Sequence, residues 1–324
     1  SDIQDALLRL LSDEAYWTAC RDQGLAGVRA HYSWEAHAEG YLEVVRGLLA
    51  ATRPEAPVKR QRYGGYADRA IFSDLDQNLL GDPESLAVFV RFLRQNRKCT
   101  SFGLATGRDL ESALREIRGH RIPRPDVLIT RTGTEIWYGQ GFEPDQQWTD
   151  HIDHHWQPRA VRRILAKLPG LTPQPAEHQS RFKISYFADP DLAPPVAEIQ
   201  SLLHQAELPV TLILSFGHFL DVLPARASKG LALRWVSERL HIPLGRMLVA
   251  GGSGADEDMM RGNTLAVVVA NRHNEELSQL TDQGSIYFAK APHAAGILEA
   301  VEHYRFLGEC RVPDETLEAP TNAA

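Results

Sequence analysis

A chain of 324 residues, 43% hydrophobic and 24% charged, holds enough apolar side chain for a sizeable core and is too long for one ordinary domain. Its formal net charge of -7 argues against a surface that coats nucleic acid, and it contains no apolar run of about 18 residues that could form a membrane-spanning helix. Three cysteines, Cys20, Cys99 and Cys310, lie far apart in no Cys-x-x-Cys pattern, which predicts neither a disulfide framework nor a zinc site. The N-terminus is acidic and helical, with no basic leader region and no cleavage site, so the chain reads as reduced and cytoplasmic. Beginning at Ser1 without Met, it also reads as a piece of a longer protein or a trimmed one.

Residues 1–50 read as helical throughout. Ile3, Leu7, Leu8, Leu10 and Leu11 recur at near-helical spacing. Ser33 is placed to cap a helix whose apolar face is Tyr41, Val44, Val45, Leu48 and Leu49. No strand accompanies them, so these faces are expected to dock on the rest of the chain or on another domain. Residues 51–68 carry two prolines, a Gly-Gly pair and the basic stretch Lys59, Arg60, Gln61, Arg62, which is linker composition.

From residue 69 strands alternate with helices. Strands are predicted at 70–73, 101–105, 127–130, 247–250 and 266–270, and helices at 83–95, 109–118 and 230–240. Short unbroken apolar strands between helices predict a parallel sheet covered on both faces, with ligands at the carboxyl ends of its strands. Residues 150–223 break the pattern. They open on WTDHIDHHWQ and continue as helix, strand, helix, strand, a small α+β insertion where substrate selection usually resides. His151, His154 and His155 read as surface or packing residues of that insertion rather than as metal ligands. The acidic tail 309–324 is predicted to be disordered.

Four segments carry chemistry. In AIFSDLDQN a strand delivers Asp74 and Asp76 at i and i+2, on the same side. Carboxylates that close need a metal, a lysine or a proton between them. A nucleophilic carboxylate beside an acid–base carboxylate splits phosphate transfer into two steps, and an Asx-rich helix cap is the competing reading. In FGLATGRD a strand ends at Thr106 and Gly107 before Arg108 and a helix, so a hydroxyl, bare amides and a helix N-terminus form an anion cradle. In RASKGLAL, Lys229 opens a helix and can balance nearby carboxylates. In MLVAGGSGADEDMM an apolar strand meets a glycine turn rich in acids. Asp256 is the candidate oxygen ligand for a hard cation such as Mg²⁺, while Glu257 and Asp258 complement a helix N-terminus.

In this order these segments resemble the haloacid dehalogenase (HAD) phosphatase superfamily, as do TRTGTEIWYG, WTDHIDHHWQ, FKISYFADP, DVLPARASKG and APHAAGILEAVEHYRFL. Within it the chain is similar to sucrose-phosphate phosphatases and to the phosphatase-like domain of sucrose-phosphate synthases, over residues 69–308. The resemblance implies an α/β fold with a HAD-like Rossmannoid parallel sheet, helices on both faces, from residues 69–149 and 224–308, and an inserted α+β cap at 150–223. It implies Mg²⁺-dependent hydrolysis of sucrose 6-phosphate, or a similar sugar phosphate, through an aspartyl-phosphate in sucrose biosynthesis. Asp74 would be the nucleophile and Asp76 the general acid, then the base. Thr106 and Lys229 would hold the phosphate, with Gly107 and Arg108 in the same cradle, and Asn78 stands where the family often has Thr. Lys183, Ser185, His218 and Asp221 would contact sugar from the cap, and Gly133, Thr134 and Glu135 would shape the sugar site. Asp74, the Asp76 carbonyl and Asp256 would hold the metal.

One position departs from the family. Its pattern Gly-Asp-x-x-x-Asp becomes Gly251, Gly252 and, four residues on, Asp256, so a glycine stands in place of a metal-ligating aspartate. Two expectations follow: a working phosphatase with a weakened metal site, or a phosphatase-like domain that binds sucrose phosphate and supports a synthase without turnover. Residues 1–50 resemble the last helices of a GT-B glycosyltransferase, which implies a glycosyltransferase domain or a sucrose-phosphate synthase as partner.

Overall fold

The computed structural model of the chain describes residues 2–51, 67–272 and 284–308. The linker expected at 51–68, save its ends, lies outside the described residues, as do Cys310 and the tail 309–324. Two units are distinguished, Ser1–Gln61 and Arg62–Ala324.

The first unit is helical: α1 (Asp2–Ser12), α2 (Glu14–Gly27) and α3 (Trp34–Ala51), with a π-helical turn at Val28–Tyr32. Asp13 caps α2 by accepting from the Tyr16 N–H at 3.0 Å, and Ser33 caps α3 by accepting from the Ala36 N–H at 3.1 Å, as its sequence position predicted. Ile3, Leu7, Leu8 and Leu11 of α1 remain exposed.

The second unit runs β1 (Arg69–Ser73), α4 (Pro83–Gln95), β2 (Thr100–Ala105), α5 (Leu110–Gly119), β3 (Val127–Thr130), β4 (Glu135–Tyr138) and β5 (Glu143–Pro144). It continues with α6 (Gln146–Ile152), α7 (Pro158–Leu165), β6 (Leu171–Pro173), β7 (Ile184–Ala188), α8 (Val196–Gln205), β8 (Val210–Ser215) and β9 (Phe219–Pro224). It closes with α9 (Lys229–Leu240), β10 (Met247–Gly251), α10 (Glu257–Met260), β11 (Leu265–Val268), β12 (Ile286–Phe288) and α11 (His293–His303). Eight strands form one sheet in the order β12-β11-β10-β1-β2-β3-β4-β5. The strands from β12 to β3 pair in parallel, and β4 and β5 add an antiparallel edge.

The parallel part is buried on both faces, and its residues alternate between two cores. Ala70, Phe72, Met247 and Val249 join α6, α7 and α9 on one side; Ile71, Leu248 and Ala250 join α4, α5 and α11 on the other. This is why the strands read as unbroken apolar runs. A second, four-stranded antiparallel sheet, β6-β7-β9-β8, packs its apolar side into the first of these cores. Among the described residues no helix is long and apolar enough to cross a membrane. Cys20 is a free thiol, whereas Cys99 is disulfide-bonded, contrary to the reduced chain that cysteine spacing suggested.

Strand register levels the ends that matter. Ser73 lies opposite both Leu104 and Ala250, so the turns after β1, β2 and β10 leave the sheet together. A fourth turn, Arg131–Gly133 after β3, is held in left-handed backbone at Arg131 (φ 49°), Thr132 (φ 60°) and Gly133 (φ 96°). A Cβ on Gly133 would lie 2.2 Å from the backbone carbonyl of Ser228, just before α9. Gly133→Ala is therefore expected to cost about 2–4 kcal/mol through left-handed strain and backbone overlap, read as a lower urea midpoint at unchanged slope. An unchanged midpoint would show that this close approach does not constrain the fold.

Candidate active site

β1 carries Asp74 to the sheet edge, where its N–H extends the ladder to the Ala250 carbonyl at 3.0 Å. Ser228 caps α9 by accepting from the Leu231 N–H at 3.0 Å, which places Lys229 in the first turn. The Lys229 side chain is buried, and its Nζ lies 3.0 Å from Asp74 Oδ1 and 2.7 Å from Asp256 Oδ1. The other oxygen of Asp256 accepts from the Gly252 N–H, the Ser253 N–H and Ser253 Oγ at 3.0, 3.0 and 2.9 Å. Asp256 thus folds the glycine turn around itself and anchors the lysine.

One ammonium between two buried carboxylates leaves a negative charge unmatched. Burial, opposed by the Lys229 charge and reinforced by the Asp256 charge, pushes the Asp74 carboxyl up to about 7. Burial works against the Lys229 charge as well, but the two carboxylates outweigh it and hold the lysine above its usual range.

Asp76 is engaged differently. Arg108 Nε and Nη2 donate to its two oxygens, both at 2.7 Å, in a bidentate fork. Arg108 Nη1 also donates to Ser112 Oγ at 3.0 Å and lies 3.3 Å from Glu116. Across the cleft, on the four-stranded sheet, Lys183 Nζ sits 2.8 Å from Asp221 Oδ2. Ser185 Oγ and Thr132 Oγ1 donate to the same carboxylate at 2.6 and 3.2 Å. The space between has a volume of about 570 Å³, within the range of small-molecule sites.

Of the candidates read from sequence, Asp74, Asp76, Gly107, Arg108, Lys183, Asp221 and Lys229 line this cleft. Others do not line it. Asn78 is buried and donates to Ser73 Oγ at 2.8 Å. Thr106 is buried, its Oγ1 accepting from the Arg108 N–H at 3.2 Å. Thr134 turns back onto the Arg131 carbonyl at 3.1 Å. Glu135 pairs with Arg131 at 3.2 Å. Ser185 is buried beneath Asp221, and the exposed His218 ring lies 2.6 Å from the Phe216 carbonyl. The cleft also takes in residues the sequence reading did not name, among them Arg131, Thr132, Gln174, His178, Phe187 and Phe219. The period-two pattern Lys183, Ser185, Phe187 carried a signal for the aromatic ones.

Among the described residues no three His, Cys, Asp or Glu side chains stand together as a metal cage. Gly252 offers no side-chain oxygen, Asp256 spends both oxygens on protein donors, and Asp76 spends both on Arg108. Asp74 remains as a cleft carboxylate of the kind a hard cation takes. That meets the minimal donor set of Mg²⁺, which is commonly held by one or two carboxylates with substrate phosphate and water.

The charge arrangement makes a stability prediction. Between the ordinary 3.8 and about 7 the folded chain holds a proton on Asp74 that the unfolded chain has lost, so this group's contribution falls as pH rises through that window. Lys229→Met removes the pull that limits the window. It is expected to cost about 3–5 kcal/mol, with a larger loss at about pH 8 than at about pH 5, by urea unfolding at both. Equal losses at the two pH values would mean the lysine acts by packing alone.

The sequence profile of the family described as sucrose-6F-phosphate phosphohydrolase matches residues 67–305. Sucrose-phosphatase 1 of Nicotiana tabacum is 31% identical over 250 residues, covering 72% of this chain and 58% of that protein. Mannosylfructose-phosphate phosphatase of Agrobacterium fabrum is 27% identical over 241 residues, covering 73% of this chain and 96% of that protein. Among solved structures, the sucrose-phosphatase of Synechocystis sp. PCC6803, in complex with sucrose and phosphate, aligns with a TM-score of 0.71 at 32% identity, covering 75% of this chain and all of that one (100%). A haloacid dehalogenase-like hydrolase of Bacillus subtilis shares the fold, with a TM-score of 0.51 at 15% identity over 74% of this chain and 90% of that one.

Proposed function

The chain belongs to the sucrose-6F-phosphate phosphohydrolase family and is a phosphoric monoester hydrolase, and on that premise we propose that it hydrolyses sucrose 6-phosphate to sucrose and phosphate through an aspartyl-phosphate. The observation that carries this reading is the Lys229 ammonium set between Asp74 and Asp256 at the base of a cleft that also holds Asp76 and Arg108. That arrangement keeps a carboxylate nucleophile beside a fixed positive charge.

In the proposed first step an Asp74 oxygen bonds to phosphorus and the bond from phosphorus to the sugar oxygen breaks. Asp76 gives its proton to that oxygen, so sucrose leaves neutral. In the second step Asp76, now a carboxylate, takes a proton from water as the water oxygen bonds to phosphorus. The bond to Asp74 then breaks, phosphate leaves and both aspartates are restored. Arg108 donates to both Asp76 oxygens in the free chain, one bond to each, which leaves each oxygen a further lone pair. Lys229, with the Thr106–Arg108 turn, holds the phosphoryl group. The segment 150–223 serves as the cap that reads the sugar, through Lys183 and Asp221.

Mg²⁺ is the proposed cofactor, held by the Asp74 carboxylate and the Asp76 main-chain carbonyl. When bound it neutralises charge on the phosphoryl oxygens. We place the reaction in the cytoplasm as a step of sucrose biosynthesis. The likeness of residues 1–50 to glycosyltransferase helices supports a synthase or a glycosyltransferase domain as partner.

The test is phosphate release from sucrose 6-phosphate with Mg²⁺. Wild type is expected to turn over, and Asp74→Asn to fall to background. Release by wild type no greater than by Asp74→Asn would overturn the phosphatase reading in favour of a binding domain. A Cβ on Gly252 would lie a tight 3.1 Å from Val269 Cγ2, the tip of a side chain that must give by a few tenths of an ångström, and 3.5 Å from Arg272 Cα. Gly252→Asp is expected to lower the Mg²⁺ concentration for half-maximal rate by at least about tenfold. An unchanged Mg²⁺ dependence would show that the missing oxygen does not limit the site.

A further inference from the structure

The cleft side of the four-stranded sheet changes character along its strands. β7 and β9 pair with Ser185 opposite Asp221 and Phe187 opposite Phe219. Side chains two residues apart share a face, so Lys183, Ser185 and Phe187 follow one another there, with Asp221 and Phe219 beside them. The first rung is polar and tied together, with Lys183 and Ser185 both on Asp221. The next rung, about 7 Å along the strand, is aromatic. The rings of Phe187 and Phe219 lie 5.9 Å apart, tilted by 49°.

Two features set this rung apart from ordinary packing. Phe187 is 41% exposed, and among the described residues of the Arg62–Ala324 unit it is the one Phe, Tyr or Trp left so open. Phe216, at the tip of the β8–β9 hairpin, packs edge-on against Phe219 at 6.1 Å and has left-handed backbone, φ 55°, beside Gly217 at φ 70°. Hairpin tips with positive φ favour Gly, Asn or Asp. A phenylalanine there bears local strain, of the kind that collects at ligand sites. All three rings line the cleft that holds Asp74 and Lys229.

We propose that Phe187, Phe219 and Phe216 form a stacking wall for the sugar ring that does not carry the phosphate, so that the site selects disaccharide phosphates over hexose phosphates. A sugar ring has an apolar C–H face and a polar hydroxyl rim. On this sheet the face can lie on the aromatic rung while the rim reaches the polar rung one step away. A hexose phosphate, held at Lys229 by its phosphate, has no second ring to lay on the wall. The inference rests on the proposed phosphatase reading.

The experiment compares wild type, Phe187→Ala and Phe187→Tyr on sucrose 6-phosphate and on fructose 6-phosphate, with calorimetric titration of sucrose itself. Phe187→Ala, which removes an exposed ring, is expected to lose about tenfold in kcat/KM on sucrose 6-phosphate, chiefly through KM, and less than about twofold on fructose 6-phosphate. Phe187→Tyr is expected to restore the disaccharide activity, and sucrose is expected to bind about tenfold more weakly to Phe187→Ala than to wild type. Equal losses on both substrates, or no loss on either, would overturn the wall. If wild type released no phosphate from sucrose 6-phosphate, the phosphatase reading would fail, and the sucrose titration would still decide the wall: undiminished sucrose binding by Phe187→Ala would overturn it.

Discussion

The site depends on one buried ammonium shared by two carboxylates. Lys229, Asp74 and Asp256 come from three separate stretches of chain, and desolvating all three is costly. A well-packed apolar trio would often serve stability as well or better, so the cluster is understood through chemistry rather than folding. The two acids have divided the work. Asp256 is held by the lysine and by three donors of its own turn. Asp74 has the lysine and an open cleft, and its raised carboxyl sits close to neutrality. The same contacts that shape the glycine turn therefore leave Asp74 as the adjustable group.

The fold supplies convergence. Level parallel strands deliver the turns after β1, β2 and β10 to one edge. The strained turn after β3 joins this edge to the second sheet, since the Thr132 N–H donates to the Thr106 carbonyl while Thr132 Oγ1 donates to Asp221. Thr132, in left-handed backbone, thus couples the turn after β2 to the polar rung across the cleft. Its neighbour Gly133 has no Cβ, and the start of α9 closes directly onto it.

Much of this was legible in the sequence where burial is complete. β1, β2, β3 and β10 were visible because strands covered on both faces carry unbroken apolar residues, and α4 matched from end to end. The antiparallel edge was not legible: β4 was not among the predicted strands, and β5 is two residues long; β6, in the second sheet, is only three. The aspartates and Lys229 were legible from type and spacing. What spacing could not convey is which polar atoms are already spent on a neighbour. Asn78, Thr106, Thr134 and Ser185 are the right residue types in the right segments, and each is buried with its side chain turned to protein. The aromatic rung was passed over for the opposite reason. Sequence reading looks for polar groups at a sugar site, and phenylalanine on a strand looks like core until the opposite face of that strand proves to hold Ile184 and Tyr186.

Gly252 is best understood through the charge balance of the cleft. Asp74, Asp76 and Asp256 face two permanent cations, Lys229 and Arg108, both engaged in the free chain. A phosphate dianion entering this site adds to an existing excess of negative charge, and an aspartate at position 252 would deepen that excess. Glycine there leaves that charge out, which would weaken the pull on a free divalent cation and lessen the repulsion met by a phosphate. Arg108 reaches Asp76 from the cleft wall and is partly exposed, whereas Lys229 meets the cleft while held between Asp74 and Asp256. In the proposed reaction, opening the Arg108 fork would free a donor for the incoming anion. Substrate charge and the acid of that proposed reaction would thereby be linked through a single side chain.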